Sequence, residues 1–313
     1  VLAQQQRTGQ PALTLPAKKK SQRRQGLTPW LFLLPGIVML LAVGIYPVIY
    51  ALWASLHHVD LVDLASGTPF DGVHNYISAF FNSLFTGAVA RSLVFLLISL
   101  PLELVLGMLI ALYLHGTVLP KLRNVVRVVL VIPMAMTPVV VGLIGSLVFN
   151  NQFGLVNYML GGVHIAPVDW LGNSLMAFIA TLALQIWQWT PFVTLILVAS
   201  LSTVPPEIEE ALTLETKSWF KRLRYVQLPY LLPGITAALI FQTAYIVKLY
   251  DMVITLTGGG PGVSTELVSI YIERNAFRAF DIGTAAAQSV ILLVITVVLS
   301  QLYIKFFYQE AEA

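Results

Sequence analysis

Apolar residues gather into six long runs, divided by shorter and more polar connections. The runs cover roughly residues 30–56, 92–114, 125–149, 175–201, 231–256 and 284–307. A helix needs about 20 mostly apolar residues to cross a bilayer, and each run is that long. Hydrocarbon offers the backbone no hydrogen bonds, and a helix satisfies its N–H and C=O groups within one segment. The pattern therefore predicts six transmembrane helices. Pro35, Pro47, Pro101, Pro133, Pro138, Pro191 and Pro233 fall in or beside these runs and predict kinks or irregular starts.

Composition supports the same reading. Of 313 residues, 57% are hydrophobic and 11% charged, with a mean hydropathy of +0.80. A soluble domain carries about 25% charged residues, so this chain has too little polar surface to face water on all sides. It has no cysteine, which excludes disulfides, thiolate metal ligands and thiol nucleophiles. No repeat is visible.

The net charge of +3 matters less than its distribution. Arg7, Lys18, Lys19, Lys20, Arg23 and Arg24 precede the first run. Residues 57–85 hold no Lys or Arg but include Asp60, Asp63 and Asp71. Lys121, Arg123 and Arg127 follow the second run, residues 150–173 hold no base, and Lys217, Lys221, Arg222 and Arg224 follow the fourth. In 257–283, Arg274 and Arg278 are offset by Glu266, Glu273 and Asp281. Basic loops face the cytoplasm, so this alternation predicts both ends inside. Residues 1–28 read as a disordered basic cytoplasmic tail, 29–308 as the transmembrane domain and 309–313 as a second short cytoplasmic tail. The first apolar run is too long for the h-region of a cleaved signal peptide.

Residues 202–230 are too apolar for an idle loop and too interrupted for a span. Pro205 and Pro206 open a helix, with Glu207, Glu209 and Glu210 in the first turn, where the helix dipole favours anions. Ile208, Ala211 and Leu212 share its apolar face. A second short helix is predicted over 217–226, with Trp219, Phe220, Leu223 and Val226 on one face, and with Pro229 and Pro233 separating it from the fifth span. Such a pair suits lipid headgroups or a groove on a soluble partner, and amphipathicity leaves both open.

The run Val204-Pro205-Pro206-Glu207-Ile208-Glu209-Glu210-Ala211, followed by Val226-Gln227-Leu228-Pro229, resembles the EAA loop of binding-protein-dependent ABC importer permeases. Two positions depart from that pattern. Leu212 stands for its second alanine, and Thr216 for a glycine that would let the turn take positive φ. Trp187-Gln188-Trp189-Thr190-Pro191-Phe192, Tyr250-Asp251 with Leu256-Thr257-Gly258-Gly259-Gly260-Pro261, and Ala276-Phe277 with Phe280-Asp281 and Gly283 resemble further segments of the carbohydrate-uptake subgroup, the maltose and glycerol-phosphate type. The resemblance spans about residues 30–308. It implies an all-α integral membrane protein with the type I ABC importer permease fold. The membrane would be a bacterial or archaeal cytoplasmic membrane. The implied partners are a second homologous permease, two ATP-binding subunits, an extracytoplasmic solute-binding protein and membrane lipid, with no nucleic acid. No Gly-x-x-x-x-Gly-Lys-Ser/Thr phosphate loop is present. ATP and Mg are thus expected in the partner subunits, with no cofactor, metal or catalytic residue in this chain.

On that resemblance Glu207, Glu210, Ala211, Leu212, Thr216, Trp219, Phe220 and Leu223 are the candidates for the ATPase contact. Gln242, Tyr245, Ile246 and Leu249 recur at helical spacing on one face of the fifth span, and Gln185, Trp187 and Trp189 lie on the fourth. These are candidates for the solute path, because sugars take aromatic faces and hydrogen-bonding side chains, although helix packing with a polar interhelical bond explains them equally. Within the spans the ionisable groups are Glu103, Lys248 and Asp251. A local ion pair is expected for the last two and a cross-helix partner for Glu103. An ion-coupled secondary transporter is the competing function, and Glu103 is its one argument. A membrane enzyme finds no convergent Ser, His and Asp. His57, His58 and His74 lack a metal-ligand spacing.

Overall fold

The computed structural model describes residues 28–63, 67–116, 120–216 and 218–308. The predicted tails therefore lie outside the described residues, except that Thr28 already opens a helix. Two units are distinguished, residues 1–49 and 50–313. From the N-terminal side, α1 (Thr28–Met39) passes through a π-helical stretch, Leu40–Ile45, into α2 (Tyr46–Ala54), within which the division falls. Pro35 is accommodated inside α1.

The second unit is built on three long helices. Ser83–His115 forms α4, preceded by the short α3 (His74–Phe81), and Ser174–Leu201 forms α8. Both of these helices start on an asparagine that satisfies orphan N–H groups. Asn82 Oδ1 accepts from Leu84 and Phe85 N–H at 2.9 and 3.1 Å, and Asn173 Oδ1 from Leu175 and Met176 N–H at 3.0 and 3.2 Å. The third is α11 (Leu228–Val247). Around these lie α5 (Pro120–Ala135), α6 (Pro138–Val148), α7 (Leu155–Gly162), α9 (Pro206–Glu215), α10 (Trp219–Arg222), α12 (Asp251–Leu256), α13 (Val268–Phe277) and α14 (Ile282–Tyr303). Among the described residues five helices are long and apolar enough to span a membrane, and six spans result if the bent α5–α6 pair is one of them.

The structure corrects two spans. The third is not one rod, because α5 and α6 meet at 97°. Pro138 disfavours helical geometry at the residue before it, and Thr137 is extended at φ −69°, ψ 145°. The break frees the carbonyl of Met136, which accepts from Gln188 Nε2 of α8 at 3.0 Å. The fifth span is displaced toward the N-terminus: α11 ends at Val247 rather than near 256. Ser269 of the α13 helix donates to the freed carbonyl of Leu249. Broken backbone at membrane depth is tolerated where neighbouring protein satisfies it, and here a side chain from another helix does so at each break. The two short segments after the breaks, α6 and α12, pack directly together. A Cβ on Gly142 would lie 2.6 Å from Met252 O and collide with the Thr255 hydroxyl, so the small residue sets this close approach.

A third correction concerns residues 217–247. The second short helix is not divided from the span by Pro229. Trp219–Val247 is one helical piece, in which a π turn, Leu223–Gln227, lies between α10 and α11. Leu228 N–H bonds to Leu223 O, five residues back. The widened turn takes up the ring of Pro229, which an α turn would press against the carbonyl four residues earlier.

The core lies where α4, α8 and α11 meet. Phe95, Leu100, Val193, Leu197, Leu231 and Ile235 are buried there with Ile246 and Met252. Gly107 allows α4 to approach α8, since a Cβ would lie 2.9 Å from Val193 Cγ1. The segment between α2 and α3 is strapped to the start of α14: Ile282 N–H donates to Val59 O at 2.9 Å and Leu61 N–H to Phe280 O at 3.0 Å. Asn75 Nδ2 donates to Ser55 O and His57 O.

Candidate functional site

Two regions hold the predicted residues. The first is the α9–α10 corner. Proline at the head of α9 costs no hydrogen bond, and Glu207 and Glu210 occupy its first two turns, exposed, with Ala211 exposed beside them. Leu212 lies on α9, and its side chain is outside the described residues. Thr216 closes the turn with its hydroxyl, which accepts from Ser218 N–H at 3.1 Å. Among the described residues only His164 and Phe280 are non-glycine positions with positive φ, so Thr216 itself does not adopt the left-handed geometry that a glycine there would allow. Beyond it Trp219 and Phe220 are 58% and 65% exposed, while Leu223 is half-buried. Leu214 and Tyr225 add further exposed apolar surface. The corner presents acids from one short helix and aromatic faces from the next, without packing those rings into its own unit.

The second region is a polar and aromatic layer inside the bundle. Gln185 is fully buried and donates from Nε2 to Glu103 Oε1 of α4 at 3.2 Å. This is the cross-helix partner expected for Glu103. Gln188, one turn on, bridges to Met136 O. Gln242 of α11 is buried, and among the described residues neither of its amide atoms has a hydrogen-bond partner, nor do Glu103 Oε2, Gln185 Oε1 and Gln188 Oε1. Burying an amide without a partner costs on the order of 1–3 kcal/mol. These unpartnered groups lie on α4, α8 and α11, the three helices that meet in the core.

Rings border this layer. Trp189 and Tyr245 pack with centroids 4.0 Å apart, Trp189 and Phe192 meet edge-on at 5.8 Å, and Phe192 and Phe241 at 6.1 Å. The structure thus brings Trp189 of α8 against Tyr245 of α11, with Gln185 one turn before Trp189 and Gln242 one turn before Tyr245. Ile246, one turn from Gln242, and Leu249, which lies past the end of α11 and so leaves the predicted face, are both buried in the apolar core. Trp187 points to the exposed side of α8. The predicted Lys248–Asp251 ion pair is not formed. Both residues are exposed at the break between α11 and α12, and neither has an ion-pair partner among the described residues. Gln188 was missed as a member of the layer, although its spacing of three from Gln185 on one helix face signals it. Among the described residues no group of three or more His, Asp or Glu is placed to hold a metal.

The ion pairs that do form cluster elsewhere. Arg274 of α13 pairs with the buried Glu266 and donates to Gly258 O at 3.1 Å, and Arg91 Nε of α4 donates to Glu266 O at 3.0 Å. They tie the glycine-rich segment after α12 to α4 and α13.

Comparison with known proteins places this architecture. Residues 103–308 match the family of binding-protein-dependent transport system inner membrane components. The trehalose/maltose transport system permease protein MalF of Thermococcus litoralis is 32% identical over 286 residues, covering 91% of this chain and 95% of that protein. The trehalose transport system permease protein SugA of Mycobacterium tuberculosis is 30% identical, covering 97% and 95%. In fold, the chain is similar to a chain of a bacterial alginate ABC transporter crystallised with an alginate pentasaccharide-bound periplasmic protein, at a TM-score of 0.79 and 18% identity over 91% of this chain and 96% of that one. The broken third span, the helix that carries the α10 corner into the membrane and the polar layer are thus features of a multi-pass transport permease, and this chain belongs to the binding-protein-dependent transport system inner membrane component family.

Proposed function

We propose that this chain is the solute-conducting subunit of an ATP-driven importer for a sugar or oligosaccharide in a bacterial or archaeal cytoplasmic membrane, with both chain ends inside. In this reading the α9–α10 corner seats in a cleft of a cytoplasmic ATPase subunit. A second permease of similar fold completes the pathway, two ATPase subunits bind ATP and Mg, and a binding protein delivers solute from outside. The names of the relatives, which concern maltose and trehalose, support the carbohydrate class.

The observation that carries the proposal is the single helical piece Trp219–Val247. At one end are the exposed Trp219 and Phe220, and toward the other Gln242 and Tyr245 of the polar layer. At 1.5 Å per residue the two sites stand about 35 Å apart along one helix. A helix is stiff along its axis, so a push at the corner reaches the layer without a loop to absorb it. ATP-driven closure of the partner would then reposition Tyr245 against Trp189 and alter which side the layer faces. Gln185 and Gln242 would hydrogen-bond sugar hydroxyls and the rings would stack on sugar faces.

The test is site-directed crosslinking in the assembled complex. Photoreactive residues at 210 and 219 should trap the ATPase subunit, and inserting two glycines into residues 223–227 should uncouple ATP hydrolysis from uptake while leaving the complex assembled. Crosslinks to lipid alone would eliminate the coupling role.

A further inference from the structure

The surface between α11 and α14 holds a groove of about 290 Å³ lined by Ala244, Val247, Lys248, Leu292, Leu293 and Thr296, with Ser289 on the same wall. A smaller apolar crevice that shares Val247 and Leu292 with it continues inward against Leu93 and Leu96 of α4. The hydroxyls of the wall are already used within α14: Ser289 Oγ donates to Ala285 O and Thr296 Oγ1 to Leu292 O, each at 2.8 Å. What remains is hydrocarbon, with one exception. Lys248 is exposed at the groove, and its ammonium has no hydrogen bond or ion pair among the described residues, Asp251 included. Leu293, Val294, Val297 and Val298 are exposed along α14, so the surroundings suit acyl chains. A lysine in such surroundings lays its methylene stem on apolar surface and lifts its ammonium toward the headgroup layer. The C-terminal dipole of α11 favours a cation at this place but supplies no counter-charge.

We propose that this groove binds an anionic phospholipid, with one acyl chain lying along Val247, Leu292 and Leu293 and the headgroup phosphate meeting the Lys248 ammonium. The complementarity is twofold: an apolar trough with its hydroxyls spent, and a single unpaired cation at its edge. The site is separate from the polar layer, since the groove uses residues 244, 247 and 248 of α11 and the layer uses 242 and 245.

The assembled complex, purified from wild type and from Lys248→Gln, Lys248→Arg and Ala244→Phe variants, would be exchanged into mixed phosphatidylglycerol and phosphatidylcholine nanodiscs. Retained lipid is then counted by native mass spectrometry. Wild type and Lys248→Arg should retain phosphatidylglycerol preferentially, and Lys248→Gln should lose about fivefold of that preference, the effect of one lysine near an anionic surface. Ala244→Phe, which fills the trough, should lower retention of both lipids. A diazirine at position 293 should label lipid. Equal lipid preference in wild type and Lys248→Gln overturns the site. So does labelling of the second permease subunit from position 293, or displacement of the lipid by inorganic phosphate alone, which would make Lys248 a plain anion site.

Discussion

Phe220→Ala gives the most direct reading of the α9–α10 corner. Phe220 is 65% exposed in this chain, so truncating it removes little packing inside the subunit. A surface substitution of this kind changes stability by at most about 0.5 kcal/mol. If a partner covers the ring, the account differs. Full burial of a phenylalanine side chain contributes about 1.5–3 kcal/mol, and the exposed two thirds then contribute about 1–2 kcal/mol at the interface. That is a loss of affinity of about 5- to 30-fold. The assay has three arms: capture of the ATPase subunit by the solubilised permease, uptake by proteoliposomes, and ATP hydrolysis stimulated by the loaded binding protein. Capture and uptake should fall together while thermal unfolding of the permease stays put. A variant that captures the ATPase and transports like wild type refutes a docking role for the ring. One that loses thermal stability along with uptake shows instead that Phe220 packs against its own bundle.

Other substitutions probe the bundle. Glu103→Gln keeps an acceptor for Gln185 and should preserve uptake within about threefold, a shift of under 1 kcal/mol. Abolished uptake with intact ATP hydrolysis would indicate that the acid handles protons and would favour ion coupling. Glu103→Ala orphans the buried amide and should lower unfolding free energy by about 1–3 kcal/mol. Gly107→Ala puts a methyl 2.9 Å from Val193 Cγ1 and should destabilise by about 1–3 kcal/mol, whereas Gly161→Ala, with no atom within 4 Å, should be neutral or better in the same denaturation series. Arg274→Met leaves the carboxylate of Glu266 buried without its cation and should cost about 3 kcal/mol, the low end for a broken buried pair, because Arg274 is partly exposed and Arg91 remains nearby. Replacing Glu266 with Gln in that background should restore part of the loss in a thermal melt.

The runs that read correctly from the sequence are those whose hydropathy and capping agree. The fourth run, 175–201, became Ser174–Leu201 with Asn173 as its cap, and the sixth, 284–307, became Ile282–Phe307 behind Asp281, whose carboxylate accepts from Thr284 N–H. The third and fifth runs misled because hydropathy does not register direction. A right-angle bend at Thr137 and a straight rod are equally apolar, and Pro133 and Pro138 announce a kink of no particular size. The partner that makes the bend affordable, Gln188, lies 52 residues away. Pro229 signalled a break that the π turn removes, and a turn of five residues has no pattern separate from its flanks. In the polar layer, helical spacing was enough to align Gln242 with Tyr245, but the stacking of Tyr245 on Trp189 is a tertiary contact between α8 and α11 that no local period encodes.

These failures share a cause that bears on function. Polar residues in a span have two uses, to satisfy a broken backbone or to meet a solute, and sequence does not separate them. Gln188 and Ser269 are committed at least in part to backbone carbonyls, those of Met136 and Leu249. Among the described residues Gln242 meets no hydrogen-bond partner with either its donor or its acceptor. A buried amide that stabilises no break has no fold-level reason to resist replacement by an isosteric apolar residue. Gln242→Leu should therefore leave folding intact or improve it, since it removes unpaired polar atoms at nearly constant volume. Gln188→Leu should destabilise the α5–α6 bend by orphaning Met136 O. If uptake falls in Gln242→Leu while thermal stability holds, the amide belongs to the solute path. If stability falls as it does for Gln188→Leu, Gln242 is a packing residue and the solute layer must be sought around Trp189 and Phe192.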